Sequence, residues 1–275
     1  MELPRKRQRT SSTSSADTTL GGALPTPPSN DPPALRHKIL SRAQHVLTTE
    51  AAALCWVSNL YQTSTVAIDG LCNGVQAILD CQTAGGKVIV CGVGKSAYIG
   101  MKLVATCKSL GIAASFLHAC EAVHGDLGDV RPIDVVLFVS FSGKTPELMQ
   151  TLLHLPEGTV VMALSSHLHA EKCMLLLDRP DSILLPAPIP EPEETSFGLC
   201  APTTSTTVAL AVADMLALSV ADQMHGSNSK EVFKRNHPGG AIGMNHREID
   251  TLKKADVKLE VLELPSPSIS AESDD

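Results

Sequence analysis

Two polar loops follow short apolar runs and carry residues that can hold a phosphate. Residues 92–96 place Lys95 and Ser96 just after Gly94, where a helix is expected to begin. Residues 140–145 surround a glycine with hydroxyl groups. Backbone N–H groups at a helix N-terminus attract anions, and small residues let those groups approach closely. Both loops therefore predict a cradle that holds one phosphate monoester without Mg²⁺.

Neither loop has a nucleotide-binding pattern. The pattern GxxxxGK[ST] needs glycine at position 89, which is Ile, and GxGxxG needs glycine at position 97, which is Ala. The alternatives are a surface lysine beside a plain turn at the first loop and an ordinary capped turn at the second. Thr145 is placed to cap a helix that starts at Pro146. Two such loops in one sheet favour phosphate binding.

Three further segments carry acid–base side chains. Glu194 lies in a cluster with Glu191 and Glu193, although such a cluster is as often a solvated loop. His237 precedes Pro-Gly-Gly, an irregular backbone that can aim a histidine at a site. His124 lies near carboxylates, but without the HExxH spacing, so a structural zinc site is not expected.

The elements that must position these loops alternate between strand and helix from Lys87 onward. Apolar runs followed by helices predict a parallel sheet covered on both faces, with its ligand at the carboxyl ends of the strands. The predicted strands span residues 87–91, 113–117, 134–140, 159–164 and 182–185. The longest predicted helices span residues 35–61, 66–81 and 208–224.

Composition limits the class of protein. The chain has 275 residues, a formal net charge of −7, 43% hydrophobic and 3% aromatic residues. That charge gives no general attraction to nucleic acid, and so few aromatic residues disfavour a single-strand platform. The N-terminus lacks a secretory signal, and the longest uncharged run, 195–213, is too polar to span a membrane. The eight cysteines are interpreted as reduced, buried small hydrophobes, which places the chain in the cytoplasm.

The ends of the chain differ from its centre. Residues 1–33 are predicted to be a disordered tail with a basic cluster, Arg5, Lys6, Arg7 and Arg9, that has nuclear import as an alternative role. Residues 34–245 are the expected folded domain. Residues 246–275 are expected to be a mostly disordered acidic tail.

The motifs together resemble the SIS (sugar isomerase) domain family, and within it the arabinose 5-phosphate isomerase branch. The resemblance covers residues 87–243 and rests on GVGKS, EAVHGDLG, SFSGKTPE, the APTTSTT segment after Glu194 and HPGGAIG. It implies a three-layer α/β/α sandwich around a five-stranded parallel sheet. It also implies a phosphorylated sugar as ligand, no cofactor and a homo-oligomer, a dimer or a tetramer, in which the histidine loop reaches a neighbouring subunit.

The resemblance also implies roles for single residues. The expected catalytic residues are Lys95, Glu147, Glu194 and His237. The expected phosphosugar contacts are Gly94, Ser96, Ser140, Ser142, Thr145, His124 and Thr203. A carboxylate would move a proton between C1 and C2 through an enediol, a lysine would stabilise the charge on oxygen, and a histidine would open the ring. Either glutamate can be the base, and His124 is the candidate for an inhibitory metal.

Two functions follow from this resemblance. The first is an aldose–ketose isomerase acting on arabinose 5-phosphate and ribulose 5-phosphate. The second is a regulatory protein that binds a phosphosugar without turnover, which the charged tails favour. Phe141 and Lys144 replace the family's usual residues in the second loop. The CBS domains that usually follow the HPGG segment are not expected, because about thirty residues remain.

Overall fold

The computed structural model describes residues 32–238. A five-stranded parallel sheet lies at the centre of this part of the chain. Its strand order is β2-β1-β3-β4-β5, and every neighbouring pair is parallel. The strands are β1 (Val88–Gly92), β2 (Ala114–His118), β3 (Val135–Val139), β4 (Val160–Ser165) and β5 (Ile183–Pro186). The predicted parallel sheet is therefore confirmed, with each strand end close to its expected position.

Eight α-helices lie within the described residues. They are α1 (Pro32–Thr63), α2 (Thr65–Thr83), α3 (Gly94–Ser109), α4 (Ala119–Ala122), α5 (Pro146–Leu153), α6 (Glu193–Phe197), α7 (Thr204–His225) and α8 (Ser229–Asn236). The chain divides into two compact units after Ala43, within α1, and residues 32–43 are all exposed. The predicted basic tail up to residue 31, its Arg5–Arg9 cluster, and the acidic tail from residue 246 lie outside the described residues.

The strands are covered on both faces because alternate side chains enter two separate cores. Val88 and Val90 of β1 join a cluster that includes Leu103 of α3 and Leu216 of α7. Ile89 of β1, with its neighbour Cys91, joins the opposite cluster together with residues of α4 and α5. Successive strand side chains point to opposite faces, so a uniformly apolar strand buries both. This confirms the three-layer α/β/α sandwich.

The segment from Thr204 to Asn236 has the length and hydropathy of a membrane span, within residues 32–238. More than half of its most apolar window is buried against the rest of the molecule. Val208, Val212 and Leu216 of α7 are all buried in the core beside the sheet. Its apolar composition is thus that of a central core helix.

Four of the eight cysteines are buried, namely Cys81, Cys91, Cys107 and Cys173. Burial raises the pKa of the Cys91 and Cys107 thiols to about 12, so both stay protonated near neutral pH. Cys55, Cys72, Cys120 and Cys200 are exposed, which corrects the expectation that these residues are all core hydrophobes. All eight are free thiols.

A buried carboxylate joins the amino ends of β1 and β3, at the edge of the sheet opposite the polar loops. Asp134 is 1% exposed and accepts hydrogen bonds from the backbone N–H groups of Lys87 and Arg131, both at 2.9 Å. It also pairs with the side chains of Lys87 and Arg131, at 3.3 and 3.1 Å. Burial alone would raise the pKa of Asp134, but these hydrogen bonds outweigh burial and lower it.

We expect Asp134→Asn to lower the free energy of unfolding by about 3 kcal/mol at pH 7, since two cations lose a buried partner. The pKa of Asp134 is lower in the folded state, so its ionisation stabilises the fold above the unfolded-state value of about 3.9. That contribution disappears as the pH falls through the folded-state pKa. Urea unfolding from pH 7 to pH 3 should therefore show the difference between wild type and variant shrinking below about pH 4.

Asp129→Asn is the matched control for this measurement. Asp129 also pairs with Lys87, at 3.3 Å, but its side chain is largely exposed. Exposed pairs contribute little, so we expect a change below about 1 kcal/mol. Equal losses of unfolding free energy in both variants would contradict the larger contribution assigned to the buried Asp134.

Candidate active site

A cavity of about 400 Å³ opens at the carboxyl ends of the strands. The order of the strands reverses between β1 and β3: β1 is followed by β2 on one side of the sheet, and β3 is followed by β4 on the other side. Ligands usually bind at the carboxyl ends of the strands at such a reversal. The cavity wall is formed by α3, α7 and the ends of β3, β4 and β5. The lining residues that carry polar side chains are Lys95, Ser96, Ser165, Ser166, Glu193, Cys200, Ser205 and Thr206.

The loop between β1 and α3 brings two predicted residues, Lys95 and Ser96, to the cavity wall. Gly94 starts α3 with φ +56°, which favours glycine. A Cβ on Gly92 would lie 3.0 Å from the backbone of Ser96, so the turn is as tight as the sequence predicted. No side chain caps α3, which leaves its first N–H groups available to an anion.

The loop between β3 and α5 has a different hydrogen-bond pattern from the predicted one. Thr145 is the N-cap residue of α5, and Pro146 starts the helix as expected, but the Thr145 side chain makes no capping bond. Its hydroxyl instead lies 2.8 Å from the Oγ of buried Ser140. Because one hydroxyl of this pair donates to the other, the pair keeps a single O–H for another acceptor.

Ser165 and Ser166, at the end of β4, are cavity residues that the sequence analysis missed. Their hydroxyls donate to the backbone carbonyl of Phe141, at 3.1 and 2.6 Å, and the Ser166 N–H donates to it as well. They follow directly on the predicted strand 159–164, and Ser140 is the last residue of the predicted strand 134–140. The rule that polar residues after a parallel strand face the ligand edge would have found them.

Glu193 occupies the N-terminus of α7. Its Oε1 accepts hydrogen bonds from the N–H groups of Thr203 and Ser205, at 2.7 and 3.0 Å, and from the Ser205 hydroxyl at 2.7 Å. Through these bonds α7 begins at Thr204, four residues before the predicted start at 208. A carboxylate at this position complements the helix dipole. Glu193 therefore caps and positions the start of α7.

Glu194 lies in the wall of a second, smaller cavity of about 260 Å³. Phe141, Glu193 and Cys200 line both cavities, so the two adjoin. The neighbouring Glu194 carboxylate raises the pKa of the Cys200 thiol, as an acceptor for its proton and through its negative charge. Glu194 is therefore the predicted glutamate that reaches the cavity region.

Several predicted residues line neither cavity. Ser142 and His124 are exposed, and Glu147 is exposed in the first turn of α5. Thr203 lies beside the cavity, where its N–H bonds to Glu193. Their proposed contacts with a ligand remain predictions.

His237 lies at the opposite end of α3 from Lys95. Its Nε2 is 3.2 Å from the Ser109 hydroxyl, its Nδ1 is 3.0 Å from the Phe233 carbonyl, and its ring stacks on Phe233. At 1.5 Å per residue, Lys95 and Ser109 are roughly 20 Å apart along α3. Within one chain, His237 therefore does not meet Lys95.

A metal at His124 gains no support from neighbouring side chains. Within residues 32–238, no group of three or more His, Cys, Asp or Glu side chains is arranged to hold a metal ion.

The chain is similar to known proteins of one family. The model of the SIS domain matches residues 83–219. Arabinose 5-phosphate isomerase GutQ of Salmonella typhimurium is 39% identical over 176 residues, which are 64% of this chain and 51% of that protein. Arabinose 5-phosphate isomerase KpsF of Escherichia coli is 35% identical over 167 residues, 60% of this chain and 47% of that protein.

The chain is also similar to solved structures. A protein of Escherichia coli CFT073 in complex with arabinose 5-phosphate is 31% identical and has a TM-score of 0.61. The match covers 74% of this chain and 98% of that one. The chain spans about half the length of the curated relatives named above. The predicted family is confirmed: the chain belongs to the SIS domain family.

Proposed function

We propose that this protein is a sugar-phosphate isomerase that interconverts an aldose and a ketose, of the arabinose 5-phosphate and ribulose 5-phosphate type. One observation carries the proposal: a lysine, uncapped helix N–H groups and a glutamate meet at adjoining cavities on the ligand edge of the sheet. The relatives named arabinose 5-phosphate isomerase support the choice of reaction.

The phosphate is best placed against the N-terminus of α3. The corresponding position on α7 already holds the Glu193 carboxylate, which would repel a second anion. The hydroxyls of Ser165, Ser166 and Thr206 donate to backbone carbonyls, so they offer few protons to a phosphate. Ser96 and the N–H groups at the start of α3 are the donors that remain available to the phosphate, and the Lys95 ammonium beside them is left for the reacting carbons.

The reaction then needs a base beside C1 and C2. Glu194 fits this role better than Glu193, whose Oε1 is held by three donors from the start of α7. The carboxylate would take the proton from C2 of the aldose and return it to C1 through an enediol. The Lys95 ammonium would stabilise the negative charge that develops on the enediol oxygen.

Ring opening requires a second acid–base group, which we assign to His237. Because His237 lies roughly 20 Å from Lys95 along α3, we propose that a neighbouring subunit donates this histidine to each site. The exposed apolar side chains of α1 and α7, including Leu47 and Leu218, offer surface for such an assembly. We further propose a cytoplasmic location, as suits a phosphorylated substrate.

The proposal is tested by isotope exchange. Purified protein is mixed with arabinose 5-phosphate in D₂O, and proton NMR follows both sugars over time. We expect ribulose 5-phosphate to form and deuterium to enter at C1 or C2, because the base exchanges its proton with solvent. Thermal stabilisation by the phosphosugar with neither exchange nor product would instead support the regulatory binding protein.

A further inference from the structure

Phe141 stands at the junction of the two adjoining cavities. The residue is 45% exposed, although it follows directly on the buried Ser140. It is an apolar wall residue of both the larger cavity and the smaller one. An aromatic ring left open to a cavity can bury that surface against a ligand.

The backbone of Phe141 is firmly held. Its carbonyl accepts three hydrogen bonds, from the Ser166 N–H at 3.0 Å and from the hydroxyls of Ser165 and Ser166. The Ser140 N–H also donates to the Leu164 carbonyl of β4, at 3.0 Å. The backbone that carries the ring is therefore fixed to the neighbouring strand. A ring attached at a fixed position can limit the size of a ligand that binds beside it.

The two cavities differ in chemistry on either side of the ring. The larger one holds the available donors Lys95 and Ser96. The smaller one combines the carboxylate of Glu194 with the apolar side chains of Ile189 and Pro192. A ligand whose phosphate lies at Ser96 and whose reacting carbons lie at Glu194 extends past Phe141, which lines both cavities together with Glu193 and Cys200.

We propose that Phe141 is a specificity-determining residue that limits the length of the sugar phosphate and so favours a five-carbon chain. This inference rests on the proposed isomerase function. The ring narrows the passage between the donors and the base, and it packs on the carbon chain of a ligand that fits. A longer chain has to turn the ring to another rotamer, because the Phe141 backbone is held by hydrogen bonds and cannot move aside with it.

The expected effect is a change of preference. Phe141→Ser removes the ring, so the five-carbon substrate loses an apolar contact and its KM rises about tenfold, with kcat nearly unchanged. A six- or seven-carbon sugar phosphate gains space. We expect the ratio of kcat/KM for the longer over the shorter substrate to rise at least about tenfold. Phe141→Tyr, which keeps the ring, should retain the wild-type ratio.

The experiment measures kcat/KM for arabinose 5-phosphate and for six- and seven-carbon aldose phosphates with wild type, Phe141→Ser, Phe141→Leu and Phe141→Tyr. Leu153→Ser is the matched control, since Leu153 is an exposed apolar residue of α5 that lines neither cavity. Phe141→Leu should give an intermediate ratio and keeps the test valid if the serine variant does not fold. An unchanged ratio in Phe141→Ser or Phe141→Leu overturns the inference.

The outcomes separate this inference from the proposed function. If wild type turns over phosphosugars but the ratio is insensitive to Phe141, the function stands and only the length limit fails. If wild type binds phosphosugars without turnover, the isomerase fails, and Kd values from calorimetry replace kcat/KM in the same comparison. If wild type neither binds nor converts any of these compounds, both are overturned.

Discussion

Glu194→Gln should lower kcat for the isomerisation by about 10³-fold while leaving Kd for the phosphosugar within about threefold. The amide is close in size to the carboxylate but cannot take a proton from carbon. Binding rests on other groups, Ser96 and the uncapped start of α3, at the larger cavity. Steady-state kinetics gives kcat, and calorimetry with the inactive variant gives Kd.

Glu147→Gln provides the comparison that identifies the base. Both glutamates are candidates from the sequence, but Glu194 lines a cavity and Glu147 does not. We expect Glu147→Gln, whose carboxylate lines neither cavity, to lower kcat by less than about tenfold and to leave deuterium exchange at C2 in place. Glu194→Gln should abolish exchange and turnover together. If Glu194→Gln kept wild-type exchange, the base would have to be assigned to another group.

Glu157→Gln is the matched control for both substitutions. Glu157 lies just before β4, at the amino end of the strands and thus at the opposite edge of the sheet. The same chemical change there should leave kcat within about twofold, because charges beyond a Debye length of about 10 Å are screened. A large loss in this variant would indicate a general electrostatic effect instead of the removal of a base.

The sequence predicted the fold well because the signals for it are local. Each strand is a short apolar run between turns, and each enters both cores, so run length and position suffice. The early start of α7 was missed for a tertiary reason. Glu193 caps that helix from about ten residues away in the chain, and propensity at Thr204 alone does not reveal it.

The candidate site was harder to predict because its hydroxyl groups form hydrogen bonds with other protein groups, which residue type alone does not reveal. Thr145 stands at the N-cap position that its sequence suggests, yet its oxygen bonds to Ser140. Ser165 and Ser166 match no motif, although they hold the Phe141 carbonyl beside the cavity. Residue type and spacing identify which loops meet, whereas hydrogen-bond partners decide which atoms remain free for a ligand.

The position of His237 leads to the second prediction with a large effect. Lys95→Ala and His237→Ala should each lower kcat by about 10²-fold or more, since each removes a charged or acid–base group from the reaction. Mixed as subunits, the two inactive variants should recover activity. In a hybrid dimer, one site combines the intact Lys95 of one chain with the intact His237 of the other.

The expected recovery can be calculated. Random mixing of equal amounts makes about half of the dimers hybrid, and one site in each hybrid is complete, so activity should reach about a quarter of wild type. The variants carry different affinity tags, are unfolded in urea and refolded together, and native mass spectrometry counts the hybrids. Activity per hybrid dimer is then compared with wild type that has been refolded in the same way.

Lys95→Ala mixed with Glu194→Gln is the matched control, and it makes the result specific to His237. Lys95 and Glu194 line adjoining cavities of the same chain. Every site in that hybrid lacks one of the two, so mixing should restore nothing. Recovery in the first pair but not in the second would place His237 in the site of its neighbour. Hybrids that form in the first pair but stay inactive would contradict a shared site. His237 would then have no part in the reaction, since roughly 20 Å also separates it from Lys95 along α3 of its own chain.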